Sequence, residues 1–126
     1  MWTPDTFFSN ANSVATISMP TPTLFASVST NGTVLMSHKL QITTRCLLKE
    51  RYLECPLEIE SYGYSIKDIE YHWPRGNGSV SIGSQLPGSA GYKFVEKIAT
   101  KKSIKLSSGT FTLLEFIMRF DRDNLF

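Results

Sequence analysis

Glu60, Tyr62 and Tyr64 stand within five residues of one another in the stretch Glu60-Ser61-Tyr62-Gly63-Tyr64-Ser65. Residues two apart on an extended chain point to the same side, so Glu60 and Tyr62 share a face. A carboxylate beside an aromatic ring suits an organic cation. The ring attracts it through its quadrupole, and the carboxylate adds a charge-assisted hydrogen bond. The glycine that follows allows the chain to turn. The same residue types also make a cross-strand aromatic cluster with a surface glutamate, and on residue types alone that arrangement is the commoner one.

The other reactive side chains form no catalytic set. A nucleophile needs a base within reach, and the two histidines, His38 and His72, both read as mid-strand residues. His38 lies among apolar neighbours and reads as a satisfied sheet histidine. No His-x-His or Cys-x-x-Cys spacing supports zinc. The carboxylate pairs Glu58/Glu60 and Asp68/Glu70 fall at alternate positions, where solvated charges on one strand face are normal. No glycine-rich loop opens a helix, so no phosphate cradle is indicated. These absences argue against an enzyme and against a metal or other cofactor.

Cys46 and Cys55 are the only cysteines, with eight residues between them. They either close a small loop as a disulfide, worth roughly 2–3 kcal/mol, or sit as unrelated core thiols; spacing leaves both open. The sequons Asn31-Gly32-Thr33 and Asn77-Gly78-Ser79 mark Asn31 and Asn77 as glycosylation acceptors and tilt the reading toward a secreted domain.

The elements that must position these residues are strands. From Val34, the positions Val34, Met36, His38, Leu40 and Ile42 share one face, and Ser37, Lys39, Gln41 and Thr43 the other, which predicts a half-buried strand over 34–44. Asn31-Gly32 predicts a hairpin with 25–28 as its first strand. Over 53–62, Cys55, Leu57, Ile59 and Ser61 alternate with Glu54, Glu58 and Glu60. Over 69–73, Ile69, Tyr71 and Trp73 alternate with Glu70 and His72. Near the end, Leu114, Phe116, Met118 and Phe120 alternate with Glu115, Ile117 and Arg119. Turn clusters fall at 19–23, 74–79, 87–91 and 107–109, and only 66–70 could pass for a helical turn. Short strands divided by Gly and Pro predict an all-β, antiparallel sandwich or barrel.

The chain has 126 residues, enough for one core and one domain. With 13 basic and 11 acidic residues it offers no field that would draw nucleic acid or an anionic membrane surface. No apolar run approaches the length that spans a bilayer. The opening MWTPDTFF lacks the basic region and apolar core of a signal peptide.

Several stretches, in order along nearly the whole chain, resemble the extracellular ligand-binding domain of pentameric Cys-loop receptors, especially GABA-A receptor β subunits and invertebrate ligand-gated chloride channels. Trp2-Thr3-Pro4-Asp5-Thr6-Phe7-Phe8-Ser9-Asn10 resembles the W-x-P-D-T-[FY]-F-x-N of binding loop A. Asn31-Gly32-Thr33-Val34-Leu35 resembles the hairpin before the loop E strand. The run from Leu57 to Tyr64, with Asp68 to Trp73 after it, resembles loop B and its following strand. Lys101-Lys102, then Leu106-Ser107-Ser108-Gly109-Thr110-Phe111, resembles loop C and its flanking strands.

The resemblance implies an immunoglobulin-like antiparallel β-sandwich in a ring of five homologous subunits, with a small amine transmitter bound between neighbours. It implies an anion pore and the extracellular side of a postsynaptic plasma membrane. Matched position by position, the principal-face ligand residues are Phe7 of loop A, Glu60, Ser61 and Tyr62 of loop B, and Ser108 and Phe111 of loop C. Ser37 stands on the complementary face. Cys46 and Cys55 match the disulfide pair.

Three departures qualify that picture. The match begins at loop A and stops after Asp121-Arg122-Asp123-Asn124-Leu125-Phe126, where the family enters its first membrane helix. Residues 1–126 are therefore expected to be a partial domain lacking the N-terminal helix and first strands, joined to the membrane only through segments outside this chain. A soluble or truncated, non-functional module of the same fold is the alternative. Second, the family's Cys loop is longer and carries a Phe-Pro-x-Asp motif that the run from Leu47 to Glu54 lacks. Third, the position of the arginine that holds a transmitter carboxylate is Ser27, and a hydroxyl cannot replace a bidentate cation. That shifts the expectation from GABA toward a biogenic amine without a carboxylate, or toward a subunit that lends only its principal face.

Overall fold

A computed structural model describes residues 4–16, 24–83 and 92–122. The turn clusters read at 19–23 and 87–91, Trp2 and the closing 123–126 lie outside these. Among the described residues the chain forms nine strands: β1 Thr6–Phe8, β2 Ala11–Thr16, β3 Leu24–Val28, β4 Val34–His38, β5 Leu40–Thr44, β6 Leu47–Leu48, β7 Tyr52–Ser61, β8 Tyr92–Leu106 and β9 Gly109–Arg122. One short 3-10 turn, Gly76–Ser79, is added to them. The chain divides into two units, Met1–Ala11 with Thr44–Phe126, and Asn12–Thr43.

The larger unit is built on one antiparallel sheet in the order β1-β7-β9-β8, with β6 also paired to β7. The alternation read from the sequence decides its two faces. Cys55 lies opposite Met118, Leu57 opposite Phe116 and Ile59 opposite Leu114, and Cys55, Leu114 and Phe116 are buried. The intervening residues put Glu54 opposite Arg119 and Glu58 opposite Glu115 on the other face. Phe94 packs edge-on against Phe120 at 5.8 Å between ring centroids. A bulge follows, with the register shifting between Phe94 and Glu96, and Val95 is left exposed.

The strand expected over 69–73 does not form. Ser65 instead accepts the backbone N–H groups of Asp68 and Ile69, both at 3.0 Å. The chain then runs without a ladder from one edge of the sheet to the other. Tyr71 and Thr6 on β1 share a hydroxyl hydrogen bond of 2.8 Å, and the Trp73 indole N–H donates to Thr100 O on β8 at 2.9 Å. The Ala99 N–H of β8 donates to the Asn77 side chain at 2.7 Å, and Lys97 donates to Val80 O. The alternating side chains are anchors. They also occupy part of the β8 edge that would otherwise present free peptide groups.

β7 has a similar device on its outer edge. β1 pairs with residues 59–61 and β6 with residues 53–54, which leaves a gap around Pro56. The Asn10 side chain fills it: Nδ2 donates to Pro56 O at 2.8 Å, and Glu58 N–H donates to Asn10 Oδ1 at 2.8 Å. The side-chain amide thus does what a strand's peptide group would do.

In the smaller unit β3 and β4 form the expected hairpin, with Val28 opposite Val34. Gly32, at φ 87°, takes the left-handed position of the turn. The single strand expected over 34–44 is two strands. β4 pairs with β3 and β5 pairs with β2, so the ladder changes partner at Lys39. His38, expected among apolar neighbours, is exposed.

Candidate ligand-binding site

The end of β7 and the start of the chain build the site together. Phe7 on β1 lies directly opposite Glu60 on β7, and directly opposed residues in an antiparallel pair point to the same face. Tyr62 follows at the strand end, and its ring meets Phe7 edge-on at 5.7 Å with an interplanar angle of 77°. Two rings and a carboxylate therefore gather on one face. Tyr62 is 81% exposed, so its ring stays open to a ligand. The half-buried Glu60 carboxylate has no hydrogen bond or ion pair with any described residue.

The turn that presents Tyr62 is held from below by Asp5. Gly63 N–H donates to Asp5 Oδ2 at 2.7 Å, the Ser61 hydroxyl donates to Asp5 Oδ1, and Tyr62 N–H donates to Asp5 O at 3.3 Å. Ser61 is buried, and its oxygen accepts Tyr64 N–H at 3.1 Å. The Ser61 hydroxyl, with help from the Gly63 N–H and against a smaller cost of desolvation, holds the Asp5 carboxyl below the usual carboxylate range.

The β8–β9 hairpin adds the third wall. It closes through Ser107 and Ser108, with Leu106 opposite Gly109. Gly109 has φ 139°, and a Cβ there would stand 3.2 Å from Ser65 Cβ. Ile66 N–H donates to Thr110 O at 2.8 Å. The turn end of the hairpin is therefore tied directly to the segment that follows Tyr62. By the alternation along β9, the half-buried Phe111 faces the Glu60 side, while Ser108 is exposed in the turn itself.

The sheet face around Glu60 is acidic. Glu58 and Glu115 oppose one another; Glu58 accepts the Ser9 hydroxyl at 2.9 Å, and Lys102 lies 3.6 Å from Glu115. Glu60 has no such neighbour among the described residues, which favours a cation arriving from outside. No group of three or more His, Cys, Asp or Glu among the described residues is arranged to hold a metal.

Of the residues singled out from sequence, the structure gathers Phe7, Glu60 and Tyr62, places Ser61 beneath them, and sets Phe111 on the same face. Ser37 lies exposed in β4 of the smaller unit, opposite Phe25. Cys46 and Cys55 form a disulfide with Cα atoms 4.2 Å apart. Asn31 and Asn77 are both exposed. Asp5 and Asn10 were not marked as site residues. They stood in the loop A motif already quoted, but their partners around 56–63 are far along the chain, and nothing local reveals that pairing.

These features set two aromatic rings and a carboxylate together at the edge of a β-sheet. Residues 1–122 match the neurotransmitter-gated ion-channel ligand binding domain, and the chain belongs to that family. It is 27% identical over 128 residues to the gamma-aminobutyric acid receptor subunit alpha-6 of Gallus gallus, covering 97% of this chain and 28% of that protein. It is 27% identical over 128 residues to subunit beta-4 of the same receptor in Gallus gallus, covering 98% and 26%. The chain thus spans little more than a quarter of the length of these relatives. The resemblance seen in the loop motifs and the all-β, antiparallel class both stand. The family is one of channel ligand-binding domains and not of enzymes. No helix among the described residues is long and apolar enough to cross a membrane.

Proposed function

We propose that this chain is the principal-face part of a subunit of a pentameric, anion-selective, transmitter-gated channel, exposed on the outer side of a postsynaptic membrane. It binds a small amine. Phe7 and Tyr62 offer ring faces to the ammonium group, and Glu60 pairs with it. Ser61 acts from beneath through Asp5. Ser108 and Phe111 approach from the β8–β9 hairpin, and Ser37 belongs to the face presented to the next subunit. The observation that carries the reading is the Glu60 carboxylate, without a hydrogen bond or ion pair among the described residues, beside the Phe7–Tyr62 ring pair.

The names of the two Gallus gallus relatives support an amine transmitter, and the chloride-channel motifs support an anion pore. Ser27, where an arginine would grip a carboxylate, favours an amine without one. Binding that is tighter when the hairpin is closed favours the open state by that difference in affinity.

The test is whole-cell current from the native subunit that carries this segment, under GABA and a panel of biogenic amines. Reversal is expected to follow the chloride gradient. Tyr62→Ala removes a cation–π contact worth about 0.5–1 kcal/mol at an exposed site, a two- to five-fold loss of sensitivity. Glu60→Gln removes a charged hydrogen bond worth about 1.5–3 kcal/mol, roughly ten-fold or more. Sensitivity unchanged by both substitutions places the amine elsewhere.

A further inference from the structure

The tip of the β3–β4 hairpin carries an asparagine in a sequon. Asn31 stands at the head of Asn31-Gly32-Thr33, and its Oδ1 accepts Thr33 N–H at 3.0 Å and the Ser29 hydroxyl. Both donors draw electron density toward the amide oxygen. The amide nitrogen makes no hydrogen bond to a described residue. The turn is closed by its own backbone, with Ser29 N–H donating to Thr33 O at 2.8 Å. Residues 29–33 are all exposed, and a Cβ built at Gly32 meets nothing within 4 Å. Room for a bulky group is therefore present.

Two further observations point the same way. The hairpin exposes Val28 at 62%, Val34 at 45% and Leu35 at 61%. Val28 and Val34 oppose one another on one face and Leu35 stands on the other, so apolar surface flanks the polar tip on both sides of the hairpin, where a hydrated cover would shield it. The Cys46–Cys55 disulfide marks an oxidising secretory route, where sugar is transferred to Asn-x-Ser/Thr. The hairpin is also local, with all its pairs inside 24–38. Its turn can form on a nascent chain before distant strands meet.

The second sequon differs. Asn77 Oδ1 accepts Ala99 N–H of β8 at 2.7 Å, and Arg75 N–H donates to the Ser79 hydroxyl at 2.7 Å. Asn77 is thus tied to β8 and the Ser79 hydroxyl is held within its own turn, whereas Asn31 bonds within its own hairpin tip.

We infer that Asn31, and not Asn77, bears an N-linked glycan. In the transfer, Asn31 Nδ2 attacks the anomeric carbon of a lipid-linked glycosyl pyrophosphate. The new N–C bond forms as the bond from that carbon to the pyrophosphate oxygen breaks. Nδ2 gives up one proton, the lipid pyrophosphate leaves with the electron pair, and nothing is oxidised or reduced.

The full chain is expressed through a eukaryotic secretory route and treated with peptide N-glycosidase. Gel mobility and peptide mass are read before and after. The expected result is a shift of one glycan, with Asn31 recovered as aspartate after release. Asn31→Gln and Thr33→Ala should each abolish the shift, and Asn77→Gln should leave it. Thr33→Ala keeps the Thr33 N–H and O that close the turn, so its result stands even if Asn31→Gln fails to fold. Wild-type mobility unaffected by the glycosidase, or a shift that survives in Asn31→Gln or Thr33→Ala, overturns the assignment.

Discussion

The Asp5 carboxylate accepts the backbone N–H of Gly63 at 2.7 Å, across 58 residues of sequence. That one bond explains why the motif containing Phe7 and the motif containing Tyr62 act as a unit. β1 sets Phe7 opposite Glu60, and Asp5 fixes the turn just beyond, so the Tyr62 ring arrives against Phe7 instead of swinging free. A carboxylate is well chosen for the task, since it can accept from Gly63 and Ser61 at once with its two oxygens.

Asp5→Asn should therefore weaken both the fold and ligand binding. One acceptor oxygen is lost and an amide N–H₂ faces the donors. The pH dependence follows from the depressed Asp5 pKa. A carboxylate held low when folded stabilises the fold fully above its ordinary pKa of about 4, and loses that contribution as pH falls through the folded value. Glu70, held low by its hydrogen bond and charge contact with Lys101, has the same sign. The denaturation midpoint of the wild type should fall between pH 5 and pH 3, and the fall should be shallower in Asp5→Asn. Equal slopes would show that Asp5 does not titrate with folding.

Asn10 is expected to matter for stability and little for ligand chemistry. Asn10→Ala leaves Glu58 N–H without its partner, and Pro56 O with only the Thr44 hydroxyl at 3.4 Å. Stranding part-buried backbone groups costs about 1–3 kcal/mol. Asn10→Asp keeps an acceptor for Glu58 N–H but turns a second oxygen toward Pro56 O, so it should not rescue. Urea unfolding gives the stability change. Faster hydrogen exchange at the Glu58 amide would locate it on the β7 edge.

Gly109→Ala tests the tie between the hairpin and the Tyr62 segment. The φ of 139° strains a side chain, and the new Cβ would meet Ser65 at 3.2 Å. A backbone held in a sparsely populated region costs about 1–3 kcal/mol. The hairpin is expected to move away from Ser65, weakening the Ile66–Thr110 hydrogen bond of 2.8 Å. Thermal unfolding should show the lost stability. A companion Ser65→Gly substitution should restore part of it, because it relieves the contact though not the strain in φ.

Much of this molecule is legible in one dimension. The period-two patterns of 53–62 and 114–120 state which side chains face the core, and the structure buries Cys55, Ser61, Leu114 and Phe116 accordingly. The Asn-Gly pair marks the β3–β4 hairpin, because that turn needs a left-handed residue and no tertiary help. The loop motifs point to the family. Elsewhere the same pattern misleads. Ile69, Tyr71 and Trp73 alternate as a strand would, yet they anchor an irregular crossing of the sheet. The periodicity of 34–44 runs unbroken through a change of partner at Lys39. Alternation reports which way side chains point, and it says nothing about which strand supplies the ladder.

By itself, then, the amino-acid order determined the all-β class, the inward face of β7 and β9, the β3–β4 hairpin and the set of residues able to meet an amine. Only the tertiary structure decided that Cys46 and Cys55 pair, that Asp5 reaches Gly63, that Asn10 completes the edge of β7, and that Phe7 touches Tyr62. Short-range choices follow from local sterics and side-chain period, which each residue carries with it. Long-range ones depend on which strand ends the finished sheet brings together, and no residue carries that information alone.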